Sequence, residues 1–338
     1  MKPFWIFDFR FWIGRSTRRI GFFTLAALLF ALCTSTAAQQ RKTPTIGWLA
    51  LRPRSSAAGI EVFRREIGKL SYIENKNIVM EYRSADNRLD RLPALAEELL
   101  RLKVDVLVAP AINEALVAKK TTTIIPIVFA GISDPVSSGM VQSLAKPGGN
   151  ATGFSNLSST LVGKRLELLK ETVPKLSHAA ILWNPKSQGA EQSWNESQLA
   201  ARELGLQLYS MQVSSADTYE SVFKQAIKSG STGVAVQSII TGTQRRVAEL
   251  AAKNRLPAIY PREDYVESGG LISYGPDRVE PYSRAAVYVD KILKGVKPAD
   301  LPVEQPTKFE LVINLNAAKR IGLTIPPNVL ARADRVIK

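Results

Sequence analysis

Short apolar runs alternate with amphipathic stretches along most of the chain, the pattern of strand–helix units that build a parallel sheet. Residues 45–51, 78–82, 104–109 and 125–130 read as four strands, the second alternating and the fourth apolar on both faces as strands between two helix layers are. Between them, residues 57–70 form an amphipathic helix with Ile60, Phe63, Ile67 and Leu70 on one face, and 89–102 and 112–120 predict two more. The stretch 124–155 then breaks the rhythm. An apolar strand ends in Gly131 and the Asp134-Pro135 turn, residues 136–144 predict a short helix, and Lys146-Pro147-Gly148-Gly149-Asn150 stops it. Proline lacks a helix donor and paired glycines favour turns, so one α/β lobe closes here and the chain crosses into a second.

The pattern restarts with a helix over 161–172 and strands at 179–183, 206–213, 233–237 and 257–260, separated by helices over 191–204, 218–228 and 243–254. A last strand of this block, 271–274, follows Gly269-Gly270. The tail reads as a helix over 278–293, a stop at Gly295 and Pro298, an extended piece over 301–306, a strand over 308–314 and a closing helix over 326–336. Two proline-marked boundaries in one tail predict that the chain returns to the first lobe and crosses again. Hinge strands are then expected near Phe154, Gly275 and Val303, with 43–154 plus 275–300 forming lobe one and 155–274 plus 301–338 forming lobe two.

A length of 338 residues and 45% hydrophobic content suit two such cores. The first 38 residues are different. Arg10, Arg15, Arg18 and Arg19 precede the apolar run 20–32, and small residues at 34–38 follow, which together describe a secretory signal and export to the periplasm. A 13-residue apolar run is short for a membrane span, although an uncleaved anchor is the alternative. The Arg18-Arg19 pair leaves the general secretory and twin-arginine routes both open. Loss of residues 1–38 removes five basic groups and one acid from 45 and 30, leaving 40 and 29 and a net charge of +11. That excess is spread thinly, with no run of five like charges and no basic stretch interleaved with aromatics, so a nucleic-acid partner is not expected.

Cys33 lies in the leader and His178 is the one histidine, at the head of an apolar strand. Disulfides, thiol nucleophiles and most histidine- or zinc-based hydrolysis are thereby excluded, and neither metal nor cofactor is expected. The Gly-x-Gly-x-x-Gly phosphate fingerprint is absent, and Asp134 with Glu263 or Asp277 has no acid/base spacing, so no catalytic residue is assigned. In doubly wound sheets the ligand sits beyond the carboxyl ends of the strands. Those ends supply Asn113, Ser133 and Asp134 from lobe one, Asn184, Ser238 and Tyr260 from lobe two, and Phe154 and Tyr274 at the hinge. Helix starts at Asn113 and Ser133 would offer amides to a carboxylate, Asp134 would take an ammonium or hydroxyl, and the aromatics would stack on the solute. Simple capping by Asp134 and Asn113, and packing of the hinge aromatics between lobes, are the competing readings.

Three groups of segments carry a resemblance: Ile125-Pro126-Ile127-Val128-Phe129-Ala130 with Asp134-Pro135-Val136; Ser143-Leu144-Ala145-Lys146-Pro147-Gly148-Gly149-Asn150-Ala151-Thr152-Gly153; and Gly269-Gly270-Leu271-Ile272-Ser273-Tyr274-Gly275. Ile292-Leu293-Lys294-Gly295, Leu301-Pro302-Val303-Glu304-Gln305-Pro306 and Phe309-Glu310-Leu311-Val312-Ile313-Asn314 extend it to the C-terminus. The sequence resembles the solute-binding proteins of ABC importers, in the group that includes tryptophan- and tyrosine-binding members. The resemblance implies a type I periplasmic-binding fold: two Rossmann-like lobes with parallel sheets, joined by three crossover strands and closing on a solute. It further implies delivery of that solute to permease subunits in the membrane; with the scarce cysteine and histidine and the strand-end residues above, a non-enzymatic, monomeric receptor for an amino acid or related amphipathic molecule is expected. A ligand sensor for a membrane receptor kinase, or a periplasmic enzyme using the same cleft, are the alternatives.

Overall fold

The first sheet is laid down by strictly alternating side chains. In the computed structural model, which describes residues 43–53, 58–157, 160–187, 189–237, 242–277 and 279–338, the first strand is β1 (Thr45–Ala50). Its Ile46, Trp48 and Ala50 enter one apolar cluster and Leu49 the opposite one, as a period of two requires when both faces are covered. α1 (Ala58–Lys69), β2 (Val79–Ser84), α2 (Leu92–Arg101), β3 (Val106–Ala109), α3 (Ile112–Thr121), β4 (Ile127–Ile132) and β5 (Ala151–Ser155) complete the block. The five strands pair in parallel in the order β2-β1-β3-β4-β5. Ile60, Phe63 and Ile67 of α1 pack on one face, and Leu92, Ala96 and Leu99 with Ala115 and Ala118 pack on the other.

After β5 the chain enters a second sheet through α4 (Val162–Thr172), β6 (His178–Trp183), α5 (Ala190–Leu204), β7 (Gln207–Gln212), α6 (Tyr219–Lys228), β8 (Gly233–Val236), α7 (Gln244–Lys253), β9 (Ala258–Tyr260), α8 (Glu263–Glu267) and β10 (Ile272–Pro276). α9 (Glu280–Leu293) then returns to lobe one, where Ala285, Ala286, Tyr288 and Val289 join the cluster under β1 and α1. The tail re-enters lobe two as β11 (Phe309–Asn314), α10 (Leu315–Ile321), α11 (Pro327–Leu330) and β12 (Arg335–Ile337). The second sheet has the order β12-β11-β10-β9-β8-β6-β7, parallel except where β11 runs against β10. The protein therefore has two α/β lobes with mostly parallel sheets, and residues 44–338 form one compact unit.

Three local expectations are corrected. The stretch 136–144 is a series of turns, not a helix. Asp134 ties the first turn, Met140 and Val141 both donate to the Pro135 carbonyl, and Gly139 takes a left-handed φ of +71°, so the helical ladder ends after one turn. At the C-terminus only Pro327–Leu330 is helical; Val312–Asn314 offer an open edge that residues 335–337 pair with in parallel, and the Asp334 carboxylate accepts from Leu311 N at 2.8 Å. The third crossover begins later than residue 301. Leu301 and Val303 are buried in lobe-one clusters, and the Glu304 backbone pairs with Gly153 and Ser155. Glu304 is also gripped by a forked pair of contacts from Arg284 on α9, at 2.8 and 2.6 Å.

Candidate functional site

Where the strands of the two lobes end, the three crossovers frame a cavity of about 490 Å³. Lobe one supplies Trp48, Ala50, Leu51 and Arg52 at the end of β1, Gly59, Ile60 and Val62 of α1, Pro110, Ala111, Asn113 and Glu114 at the start of α3, and Ala130 and Gly131 of β4. The crossovers add Ser155, Asn156, Pro276, Asp277, Val279 and Pro306, the start of α9 adds Pro281 and Tyr282, and lobe two adds Pro261, Arg262 and Glu263. A site at the carboxyl ends of parallel strands is what this fold class favours, because helix N-termini converge there.

One wall is aromatic. Trp48 is 1% exposed and meets Phe63 edge-to-face at 5.3 Å, while Tyr282 stacks on it at 6.3 Å and an interplanar angle of 22°. The indole Nε1 of Trp48 is buried without a hydrogen-bond partner among the described residues. Glu114, in the same cavity lining, occupies the first turn of α3 and is 5% exposed. Its Oε1 accepts from Leu51 N at 2.9 Å, which links the end of β1 to α3, while Oε2 has no partner among the described residues. Burial pushes the Glu114 carboxyl above its ordinary range, against the pull of the Glu114 and Leu51 amides and the Arg52 guanidinium. Arg52 is steadied through its carbonyl, which accepts from Tyr82 Oη at 3.1 Å and Ser84 Oγ at 3.0 Å.

The lobe-two wall is built on Arg262. Its guanidinium forks onto Asp264 at 3.0 and 2.9 Å and lies 5.4 Å over the Tyr265 ring. Burial alone would lower its pKa, but Tyr265 and the Asp264 contacts outweigh it, so Arg262 stays charged. Among the described residues no three His, Cys, Asp or Glu side chains group as a metal site. His178 begins β6 with its Nδ1 3.0 Å from Ser177 Oγ, away from the cavity lining.

Of the sequence-predicted site residues, Asn113 lines the cavity and Ser238 lies outside the described residues. The others are placed elsewhere. Asp134 takes the Val136 and Ser137 amides and the Ser137 hydroxyl; burial raises its pKa, but these bonds prevail and hold it below the usual range. The Ser133 carbonyl accepts from Ser155 Oγ, and Asn184 Oδ1 accepts from Lys186 N. Phe154 is buried in lobe one against Tyr288 at 4.9 Å, and Tyr260 is fully buried in lobe two, stacked on Tyr265 at 4.9 Å. Tyr274 packs on Phe309 at 6.0 Å, with its carbonyl accepting from Arg165 Nε. Trp48, Glu114, Arg262 and Tyr282 were not among the candidates. Glu114 and Arg262 each stand one or two residues from a chosen one, a signal within reach. Trp48 sits inside a strand with nothing local to set it apart from core.

Known proteins of this shape carry related sequences. A conserved domain protein from Vibrio cholerae superposes with a TM-score of 0.78 at 29% identity, over 87% of this chain and all of that one. An ABC domain from Streptococcus pneumoniae in complex with L-Trp superposes equally well, at 25% identity over 88% of this chain and all of the other. A tyrosine-binding protein of Clostridioides difficile is 26% identical over 262 residues, 77% of this chain and 75% of its own length. The family model for ABC transporter substrate binding proteins matches residues 63–337, most of the chain, and the protein belongs to that family.

Proposed function

We propose that the protein captures an amino acid with an apolar or aromatic side chain outside the cytoplasm and delivers it to the permease of an ABC importer. The observation that carries this reading is the cavity lining, which combines the stacked Trp48–Tyr282 aromatics with the buried Glu114 and with Arg52 and Arg262. A zwitterion with a flat side chain matches that combination, whereas a sugar would call for paired carboxylates and amides around its hydroxyls. The relatives with L-Trp and tyrosine in their names support the same class of solute. Capture would work by population shift: a solute touching both lobes favours the closed form, and that form docks on the membrane partner. Export is consistent with the leader-like residues 1–38, which lie outside the described residues, and with the family. Among the described residues no helix is long and apolar enough to cross a membrane.

Thermal-shift screening of amino acids, sugars and aromatic acids tests the reading. A true ligand at 100 times its Kd adds about 2.7 kcal/mol of stability. L-tryptophan or L-tyrosine should raise Tm and be recovered chemically unchanged; a rise with sugars alone, or turnover of the bound molecule, overturns it.

A further inference from the structure

We propose that Glu114 accepts the ammonium group of the captured solute and that Trp48 Nε1 donates to its carboxylate. The assignment rests on the amino-acid reading of the cavity. It begins with elimination. The other acids near the cavity are already engaged: Asp277 Oδ1 caps Val279 N at 2.6 Å and Glu280 N at 3.4 Å, Glu263 meets Arg335 at 3.1 Å, and Asp264 is forked by Arg262. Asp134, which by sequence looked like the anionic anchor, closes its own turn. Glu114 differs in being buried at the cavity wall, only 5% exposed, with Oε1 committed and Oε2 without a partner among the described residues.

Such an oxygen is costly unless something meets it, because a buried acceptor that has lost water forgoes the full hydrogen-bond energy. The chain spends structure on holding it there. The Leu51 amide fixes Oε1, so the carboxylate plane is set before any solute arrives. The N-terminal turn of α3 favours a negative charge at that position. The upward pull that burial exerts on the carboxyl is relieved when a cation arrives, which ties ionisation to occupancy. Trp48 makes the complementary half: an indole N–H, buried and unpartnered among the described residues, in the same wall. An open acceptor and an open donor lining one cavity, together with aromatic faces, suit a molecule bearing a protonated amine and an acid on one small frame.

Calorimetric titration of wild type, Glu114→Gln and Trp48→Phe with two ligand pairs reads this directly. The pairs are L-tryptophan with indole-3-propionic acid and L-tyrosine with 3-(4-hydroxyphenyl)propionic acid, each differing by the amino group. Glutamine keeps an oxygen for the Leu51 amide, and phenylalanine keeps an aromatic face. Wild type should prefer the amino acids by about ten- to a hundredfold, the worth of a hydrogen bond to a charged group. Glu114→Gln should erase that preference by weakening the amino acids alone, with the deaminated acids bound no more weakly than by wild type, and Trp48→Phe should weaken both members of a pair together. A preference preserved in Glu114→Gln, or equal weakening of both members by it, overturns the Glu114 assignment; unchanged affinities in Trp48→Phe overturn that of Trp48. Wild type binding neither amino acid overturns the proposed function and this assignment with it.

Discussion

Glu114 shows how a binding site costs a fold some of its stability. Its carboxyl is raised by burial, which means that the folded state prefers the neutral form more than the unfolded chain does. The stability attached to this group is fully present below the ordinary glutamate pKa and is lost as pH rises through the folded value. Ionising Glu114 in the ligand-free protein is therefore unfavourable, offset in part by the Leu51 amide and by Arg52, with Arg262, Glu263 and Asp277 also lining the space. Glu114→Gln should raise the ligand-free Tm at pH 7, by about 1 kcal/mol of stability as site-directed relief commonly gives. The gain should shrink as pH approaches 4. Calorimetric melting of both proteins across that range checks it, and a variant less stable at pH 7 would contradict the sign. Asp134 is the opposite case: its bonds to Ser137 and Val136 hold it low, so it is a turn residue that stabilises above the ordinary aspartate range.

Among the elements, β10 has two tasks, as a strand of the lobe-two sheet and as a crossover. A Cβ on Gly275 would run into the Pro261 carbonyl oxygen, so β10 and the loop that carries Arg262 approach as closely as only glycine permits. Arg165, on α4, lies beneath this junction with Nε donating to the Tyr274 carbonyl at 2.8 Å. Burial brings its guanidinium down to about 10, against the raising influence of Tyr265 and Tyr274, which still leaves it protonated at neutral pH. Gly275→Ala should cost about 1–3 kcal/mol, the usual range for overpacking, and should weaken solute binding by shifting the 261–263 loop. Urea denaturation with ligand titration on the same variant measures both; a stability loss below a few tenths of a kcal/mol would show that the junction yields easily. The first crossover uses the same device, since a Cβ on Gly153 would meet the Phe129 carbonyl.

For the whole molecule, the three connections that line the cavity lead us to expect the lobes to open and close about them. The Arg284–Glu304 fork and the Glu304 backbone pairing bind the third crossover to the first and to α9, so bending is expected beyond residue 304 and not before it. Saturating L-tryptophan should therefore reduce the radius of gyration measured by small-angle scattering. Superimposable curves with and without a tightly bound solute would remove hinge closure from the mechanism.

Much of this was legible in the chain itself. The alternation of short apolar strands with period-3.6 helices determined two parallel α/β lobes, because burial on both faces leaves an apolar run in inner strands such as β1, β3 and β4. Scarcity of cysteine and histidine narrowed the chemistry before any coordinates. The run 136–144 misled because its apolar residues suit a helix locally, while Asp134, Pro135 and Gly139 end it after one turn. The ends of strands correctly pointed to the cavity, yet of the described candidates only Asn113 lines it. Whether a side chain at a strand end faces the cleft, caps its own turn or turns into the core depends on neighbours far away in sequence: Leu51 for Glu114, Tyr282 for Trp48, Tyr288 for Phe154. The sequence determined the lobes because burial is written locally, whereas the tertiary structure alone decided the site because partnership between distant groups is not.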